Sequence, residues 1–473
     1  MGYQLRVIKC YTKPNIFYKR EYMKILPSIL MAITITSCSL VSPSRPTAKP
    51  IVSSNWVSTS PGLSLAPKLS NHESGNYWWY KYQDNTLNGL MESAFANNNQ
   101  LQIAGANVEL ANAQLKRIEF AWIPNFSALA GYSSFPAWGN LGYFFGAMAN
   151  YSLNVFQQIA QQKQAEYIVD TIMYAKERVQ LEVIYQVSTS YFGLLANQEE
   201  LALYQKLLRD MQVVLALNEN RFTTGVSSVK EPYLSQAEIA EIRSKIETIQ
   251  HNVVLAGNAL KFLTNQNPGA IATSNKFVNI NPNIMIPGSL PLTTLNNRPD
   301  VAEVTKRLQA ANEGIGVAQS ELLPSINFSN FYRDASQNYN NNYNPGDLKQ
   351  LVTTVPILNA QVFADIAVSN AIYKQVYYNY LQTVVGALRE VDNDISAHNQ
   401  FYQQLNQNTI ALDYINKNCF LEKSKFDAGI SSNLDYMKCV VKEDYYKIIV
   451  TQIKLGKMLA TAKLYQDFAI IRE

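Results

Sequence analysis

Two very long stretches of this chain contain no helix breaker, and they constrain the fold more than any other feature. Residues 157–222 contain no proline and one glycine, Gly193; residues 359–426 contain no proline, with Gly386 the clear glycine. At 1.5 Å per residue each stretch runs roughly 100 Å as a helix, which a soluble globular domain rarely holds. In the second, Tyr373, Tyr377, Tyr380, Val384, Leu388, Val391 and Ile395 recur in steps of four and three, a coiled-coil-like seam. Each stretch ends at a glycine, Gly225 or Gly429, followed by Ser-Ser and another helical pattern. Glycine takes the left-handed conformation that stops a helix, and serine can cap the next one.

These stretches belong to a duplication. Gln100-Leu101-Gln102-Ile103-Ala104 leads to Ala121-Trp122-Ile123-Pro124-Asn125-Phe126-Ser127. About 200 positions later, Asp300-Val301-Ala302-Glu303-Val304 leads to Leu323-Pro324-Ser325-Ile326-Asn327-Phe328-Ser329. Arg221-Phe222-Thr223-Thr224-Gly225-Val226 returns as Lys425-Phe426-Asp427-Ala428-Gly429-Ile430. A repeat of this length points to a pseudo-symmetric assembly.

After Pro124 the periodicity changes from helical to alternating. Phe126, Ala128, Ala130 and Tyr132 share one face, and Tyr151, Leu153 and Val155 alternate with polar residues. In the second copy the strands are expected near residues 324–333 and 348–357. The loops between the strands are residues 133–140 and an Asn-rich run, 337–344. Strands of about ten residues with one apolar and one polar face fit a transmembrane β-barrel. An antiparallel hairpin on a soluble sheet is the plainer alternative. Each repeat therefore reads as short helix, hairpin, very long helix, tight turn and return helix. Four strands from one chain are too few to close around a pore, whereas three copies give twelve.

Composition agrees. Charged residues make up 16% of the chain, against roughly 25% in a typical soluble domain, and there are 29 tyrosines. The formal net charge of +4 and the absence of a Lys/Arg cluster give no case for nucleic-acid binding. His72, His251 and His398 lie far apart, in no metal-ligand spacing. No phosphate-binding loop, nucleophile elbow or zinc motif is present, so no enzyme activity, metal or cofactor is expected.

The N-terminal region reads as an address. Met23 to Cys38 has a basic start, a short apolar core and Ile35-Thr36-Ser37-Cys38. That ending resembles a bacterial lipobox, which implies cleavage before Cys38 and lipid on its thiol and new amino group. The apolar run is too short to span a bilayer. A signal peptide is expected over residues 1–37, with Met23 as the true start. A flexible lipid-anchored tether follows over 38–72, then repeats over 73–297 and 298–473.

Leu290-Pro291, Asn297-Arg298-Pro299-Asp300-Val301, Leu323-Pro324-Ser325-Ile326, Val355-Pro356-Ile357-Leu358 and the paired glycine turns together resemble the TolC-like outer membrane factors, or outer membrane efflux proteins. The resemblance is to the lipoprotein branch similar to OprM and covers about residues 75–465. It implies an α+β membrane protein: a homotrimer with a twelve-stranded outer-membrane β-barrel, continuous with a periplasmic α-helical barrel. It implies passive export of small molecules, driven by an inner-membrane pump through a periplasmic adaptor. On the same resemblance, Thr224, Gly225, Val226, Ala428, Gly429 and Ile430 would dock the adaptor. Leu434 falls on an apolar gate position, and Lys438 stands where an acidic residue is usual, with Asp435 as a partial substitute. Family members often have glycine before each long helix, where this chain has Gln157 and Gln361, so the bend must be made another way. Two alternatives stay open: a protein-secretion duct of the same architecture, and a lipid-anchored coiled-coil protein without a pore.

Cys419 and Cys439 lie ten residues either side of Gly429. In an antiparallel hairpin that spacing brings them to one height, so either a disulfide or two free thiols is possible in an oxidising compartment.

Overall fold

The computed structural model describes residues 50–61, 63–66, 77–133, 142–335, 346–356 and 359–471. Strands β2 (Asn125–Ser133), β3 (Gly142–Leu153), β5 (Ser325–Ala335) and β6 (Gly346–Thr354) form one sheet in the order β2-β3-β5-β6. All three pairings are antiparallel. The β3–β5 pairing joins the hairpins of the two repeats. Strand β6 ends before Pro356, which has no N–H to give a ladder, so the strand stops short of the expected residue 357. Register places Phe126 opposite Ala149, Tyr151 opposite Phe328 and Phe328 opposite Leu351 on one face. Phe126 and Leu351 are largely bare there, at 75% and 70% exposure. The other face is polar: Ser152 Oγ donates to Asn327 Oδ1 at 2.5 Å, and Asn327 Nδ2 to Thr354 Oγ1 at 3.2 Å. Of the loops expected over residues 133–140 and 337–344, Ser133 is the last residue of β2 and the rest lie outside the described residues.

The breaker-free stretches are single helices: α3 (Val155–Thr223, 69 residues) and α7 (Ala360–Asp427, 68 residues). The strand-to-helix bend is made by asparagine caps. Asn154 Oδ1 accepts from Gln157 N and Asn359 Oδ1 from Gln361 N, both at 3.1 Å. An N-cap carbonyl satisfies one of the donors a helix start leaves unpaired, so no glycine is needed. Asn154 also donates from Nδ2 to Ser320 O at 2.7 Å, fixing the first long helix to the end of the second repeat's short helix. The return helices are α4 (Lys230–Leu263) and α8 (Asn433–Asp467). Along α7 the seam is buried at Tyr377, Val384, Val391 and Ile395.

The upper halves of the long helices carry short partners, and the two repeats differ there. Helix α2 (Asn99–Glu119), preceded by α1 (Asn85–Asn97), packs on α3. Its counterpart α6 (Pro299–Ser320), preceded by α5 (Pro291–Asn297), packs on both α3 and α7. Glu303 and Ala310 of α6 are accordingly buried, at 8% and 6% exposure. The equivalent Ile103 and Leu110 of α2 stand 62% and 57% exposed. An apolar stripe on α2 is therefore left without the neighbour its copy has.

The main core forms a waist at mid-height. Trp78, Trp79, Tyr82, Tyr191, Phe192, Tyr465 and Phe468 are buried together, and the Trp78 and Tyr465 rings stack at 4.4 Å. Asp84 caps α1 through bonds from Thr86 N and Leu87 N and accepts from Tyr191 Oη at 2.7 Å.

Arg298, at the start of α6, holds the waist's charged side. Its fork donates to Asp300 Oδ1 at 3.0 Å and Oδ2 at 2.7 Å. It also reaches Glu390 of α7 at 3.3 Å and lies 3.8 Å from Asp467 of α8. Burial raises Asp300, but the Arg298 fork outweighs it and holds the carboxyl below its usual range.

The segment expected as a free tether departs from that reading over residues 50–66. Strand β1 (Leu63–Ala66) pairs in parallel with β4 (Ile286–Ser289). Trp56 is buried, and its Nε1 donates to Ser289 O at 2.8 Å. Val57 N and Ser58 N both donate to Asp392 Oδ1, and Ser60 Oγ bonds His398 Nδ1 at 2.7 Å. These partners lie more than 220 residues away, and a composition rich in serine and proline does not reveal them. His398 is buried at 2% exposure. Burial, then the charge of Lys457, pushes its pKa from 6.5 down to about 4. Between those values the folded chain binds fewer protons than the unfolded one, so stability is lost as pH falls from 6.5 toward 4. The loss reaches about 3 kcal/mol. Hydrogen exchange is expected to show the 56–60 segment opening at pH 4.5 but not at pH 7. Replacement of His398 by Gln should flatten that dependence; an unchanged pH response would assign it elsewhere.

Candidate functional site: the helix tips

The two tip turns share one backbone construction. Gly225 has φ +76° and Gly429 φ +71°. Gly225 N donates to Phe222 O at 2.9 Å and Val226 N to Arg221 O at 2.8 Å. Gly429 N donates to Phe426 O and Ile430 N to Lys425 O, both at 2.9 Å. These paired bonds form the Schellman motif, in which the residue after the glycine usually packs back on its own helix. Here that apolar residue points away: Val226 is 67% and Ile430 78% exposed. Thr224 and Ala428 are the helix caps, and Thr224 Oγ1 donates to Asn220 O at 2.8 Å. Thr224, Gly225, Val226, Ala428, Gly429 and Ile430 thus lie in two matching, solvent-facing turns.

The serines after the glycines differ. Ser432 caps α8, accepting from Asp435 N at 3.2 Å and donating to Asp435 Oδ2 at 2.6 Å. In the first tip Val229 takes the cap position without a side-chain bond, while Ser228 Oγ accepts from Lys230 N at 3.3 Å.

Cys419 of α7 and Cys439 of α8 are joined by a disulfide, with Cα atoms 5.4 Å apart. The second tip is therefore a covalently closed hairpin, and the first is not. Leu207, Met211, Val214, Ile239, Ile242, Ile246, Leu434 and Ile448 form a core shared by α3, α4 and α8. Leu434, expected as an apolar gate residue, is one of them at 4% exposure. Its side chain is spent on packing within the protomer, which helical periodicity alone does not separate from a channel-facing position. Asp435 and Lys438 are exposed, with Asp435 engaged in the Ser432 cap.

An ion pair with a buried carboxylate and a partly exposed lysine ties the two hairpins together and was not legible in the sequence. Lys206 Nζ of α3 donates to both carboxylate oxygens of Asp444 of α8 at 2.7 Å, and to Asp210 at 2.8 Å. Asp444 is fully buried, which pushes its pKa up to about 6 although Lys206 opposes the shift. The only sequence signal is a lysine and an aspartate on apolar stripes of helices that meet. Cys38 and the lipobox lie outside the described residues. Among the described residues no helix is long and apolar enough to cross a membrane.

The fold and tips have counterparts among known proteins. Residues 90–266 and 290–439 match the outer membrane efflux protein family. The cation efflux system protein CusC of Escherichia coli K12 is 25% identical over 401 residues, covering 81% of this chain and 85% of its own length. The solvent efflux pump outer membrane protein SrpC of Pseudomonas putida is 25% identical over 377 residues, 75% of this chain and 78% of its own. The probable outer membrane lipoprotein SilC of Salmonella typhimurium is 23% identical over 391 residues, 79% and 83% of the two chains. The open-state Neisseria gonorrhoeae MtrE outer membrane channel superposes with a TM-score of 0.76 at 19% identity, over 90% of this chain and 97% of that one. The fold is that of a TolC-like outer-membrane channel. The chain belongs to the outer membrane efflux protein family and is an outer-membrane efflux channel component.

Proposed function

We propose that three copies of this chain assemble into the channel, anchored by lipid on Cys38 and docked through their tips to a periplasmic adaptor and an inner-membrane pump. One observation carries the assembly. Helix α6 is buried between α3 and α7, while its copy α2 leaves Ile103 and Leu110 bare. A neighbour's α7 laid on that stripe repeats the arrangement already present inside the protomer. The sheet asks for the same partner: among the described residues β2 and β6 each have one side unpaired, and an open sheet edge is not tolerated in hydrocarbon. Twelve strands from three chains close the barrel.

Tip docking is supported by the outward-facing Val226 and Ile430. The name of SilC as a probable outer membrane lipoprotein supports the lipid anchor. Relatives named for cation, solvent and toluene efflux support small molecules as cargo. Lys438 and Asp435 form the exposed part of the gate segment, with Leu434 packed behind them. Three copies of Lys438 around the narrow end would disfavour cations by repulsion.

Single-channel recording of the purified protein in planar bilayers tests this reading. A conducting trimer is expected, with cation preference rising in a Lys438→Gln variant. A cation preference that does not move would remove Lys438 from the gate, and no conductance at all would remove the channel assembly.

A further inference from the structure

We propose that a cavity between α7, α8 and the segment 278–283 is a binding site for a small ligand carrying a phosphate or carboxylate group. The cavity measures about 520 Å³, and its lining includes Asn281, Asn283, Tyr402, Asn406, Lys454 and Lys457. That volume lies within the roughly 300–1,000 Å³ range of small-molecule sites. It is separate from the tips and the sheet, and the inference does not rest on the export reading.

The argument is one of missing countercharge. Lys457 is 2% exposed. Its ammonium donates to Asn283 Oδ1 and lies 4.7 Å from the centre of the Tyr402 ring. Lys454 donates to Phe277 O at 2.7 Å and Val278 O at 3.1 Å, with the Phe277 ring 4.9 Å away. Amides, carbonyls and ring faces solvate these cations without neutralising them. Three other buried charges are matched by an opposite charge: Asp444 by Lys206, Arg298 by Asp300, and Asp467 by Lys463. Among the described residues neither Lys454 nor Lys457 forms an ion pair with a carboxylate; Glu199 acts on Lys454 only at longer range. A buried ammonium without a counter-ion is unfavourable, and here the buried Lys457 and the half-buried Lys454 line one hollow.

Burial pushes both lysines down to about 8, so at pH 7 both still hold their protons for the most part. The hollow is therefore lined by two positive charges together with Asn281 and Asn406, whose side chains carry hydrogen-bonding amides. Charge-assisted hydrogen bonds to an oxyanion are the strongest interactions such a set can make. Tyr402 offers a flat apolar wall for the body that carries the anion.

Calorimetric titration of the full-length, detergent-solubilised protein with inorganic phosphate and, separately, acetate tests the proposal, with sodium chloride matching ionic strength. Saturable binding of at least one anion is expected; the arm that binds identifies a phosphate or a carboxylate ligand. Lys457→Met should weaken binding at least tenfold. Lys454→Gln, which keeps a donor for the Phe277 and Val278 carbonyls, should do the same and decides alone if Lys457→Met does not assemble. No saturable binding of either anion, or binding unchanged in the variants that assemble, would overturn the site.

Discussion

Tryptophan at Gly225 or Gly429 is expected to abolish export while the trimer still forms. Both glycines sit at positive φ, +76° and +71°, where an L side chain costs about 1–2 kcal/mol. That strain is small beside the packing of hairpins this long, so assembly should survive. No heavy atom lies within 4 Å of the position a Cβ would occupy at either glycine. A side chain there therefore leaves the turn into open space, on the same outer surface as Val226 or Ile430. Alanine separates backbone strain from surface blockage, since it carries the same φ penalty without the bulk. Dye efflux from cells lacking other outlets, with native-gel analysis of the trimer, reads the result. Loss with tryptophan and retention with alanine supports docking through the turns. Normal export in both tryptophan variants would exclude it.

The second large effect is expected at Arg298. Arg298→Ala removes a buried guanidinium, 8% exposed, that joins α6 to carboxylates on α7 and α8. Breaking a buried pair by deleting one partner destabilises by about 3–5 kcal/mol, because the partner charge stays buried and unpaired. Among the described residues Asp467, at 2% exposure, would keep one cationic partner, Lys463 at 2.9 Å. Lysine should rescue little, since it lacks the planar fork that grips Asp300 at two points. Asp394 sharpens the pH signature. Burial first, and then the hydrogen bond and charge of Asp467, raise its pKa from 3.8 to about 8. Its stabilising contribution is full below 3.8 and is lost as pH rises through about 8. Without Arg298 nearby the carboxylates repel more strongly, so the variant should regain stability on acidification more steeply than the parent. Denaturant-induced loss of the trimer, measured from pH 5 to pH 9, checks both points. A shift below about 1 kcal/mol, or parallel pH curves, would mean the network is not structural.

The long elements were legible because their signals are local. A run without proline and a seam in steps of four and three define α3 and α7 to within two residues at either end. Alternation located the strands, with an error at β6 that the missing proline N–H explains. What stayed hidden depends on distant partners. Trp56, Ser58 and Ser60 are ordered by Ser289, Asp392 and His398, so their own neighbourhood looks like a tether. The waist's Trp78–Tyr465 stack joins residues almost 400 positions apart. At the tip, residue type placed Leu434 on an apolar stripe correctly but could not say whether that stripe met a core or a channel. Asn154 and Asn359 are the opposite case: the strand-to-helix bend was flagged, and the asparagine before each helix was the readable answer.

The unequal surroundings of α2 and α6 have a consequence for anyone altering this protein. In the proposed trimer the joint between subunits has a twin inside each chain, 200 residues further along. A substitution meant for the α2 surface can first be rehearsed at its α6 counterpart, where failure shows as misfolding of one chain and not as loss of assembly. The same twin limits divergence: in the proposed trimer a change that improves the inner joint alone makes the two kinds of sector unequal, so the tube keeps threefold symmetry and loses its near-sixfold character.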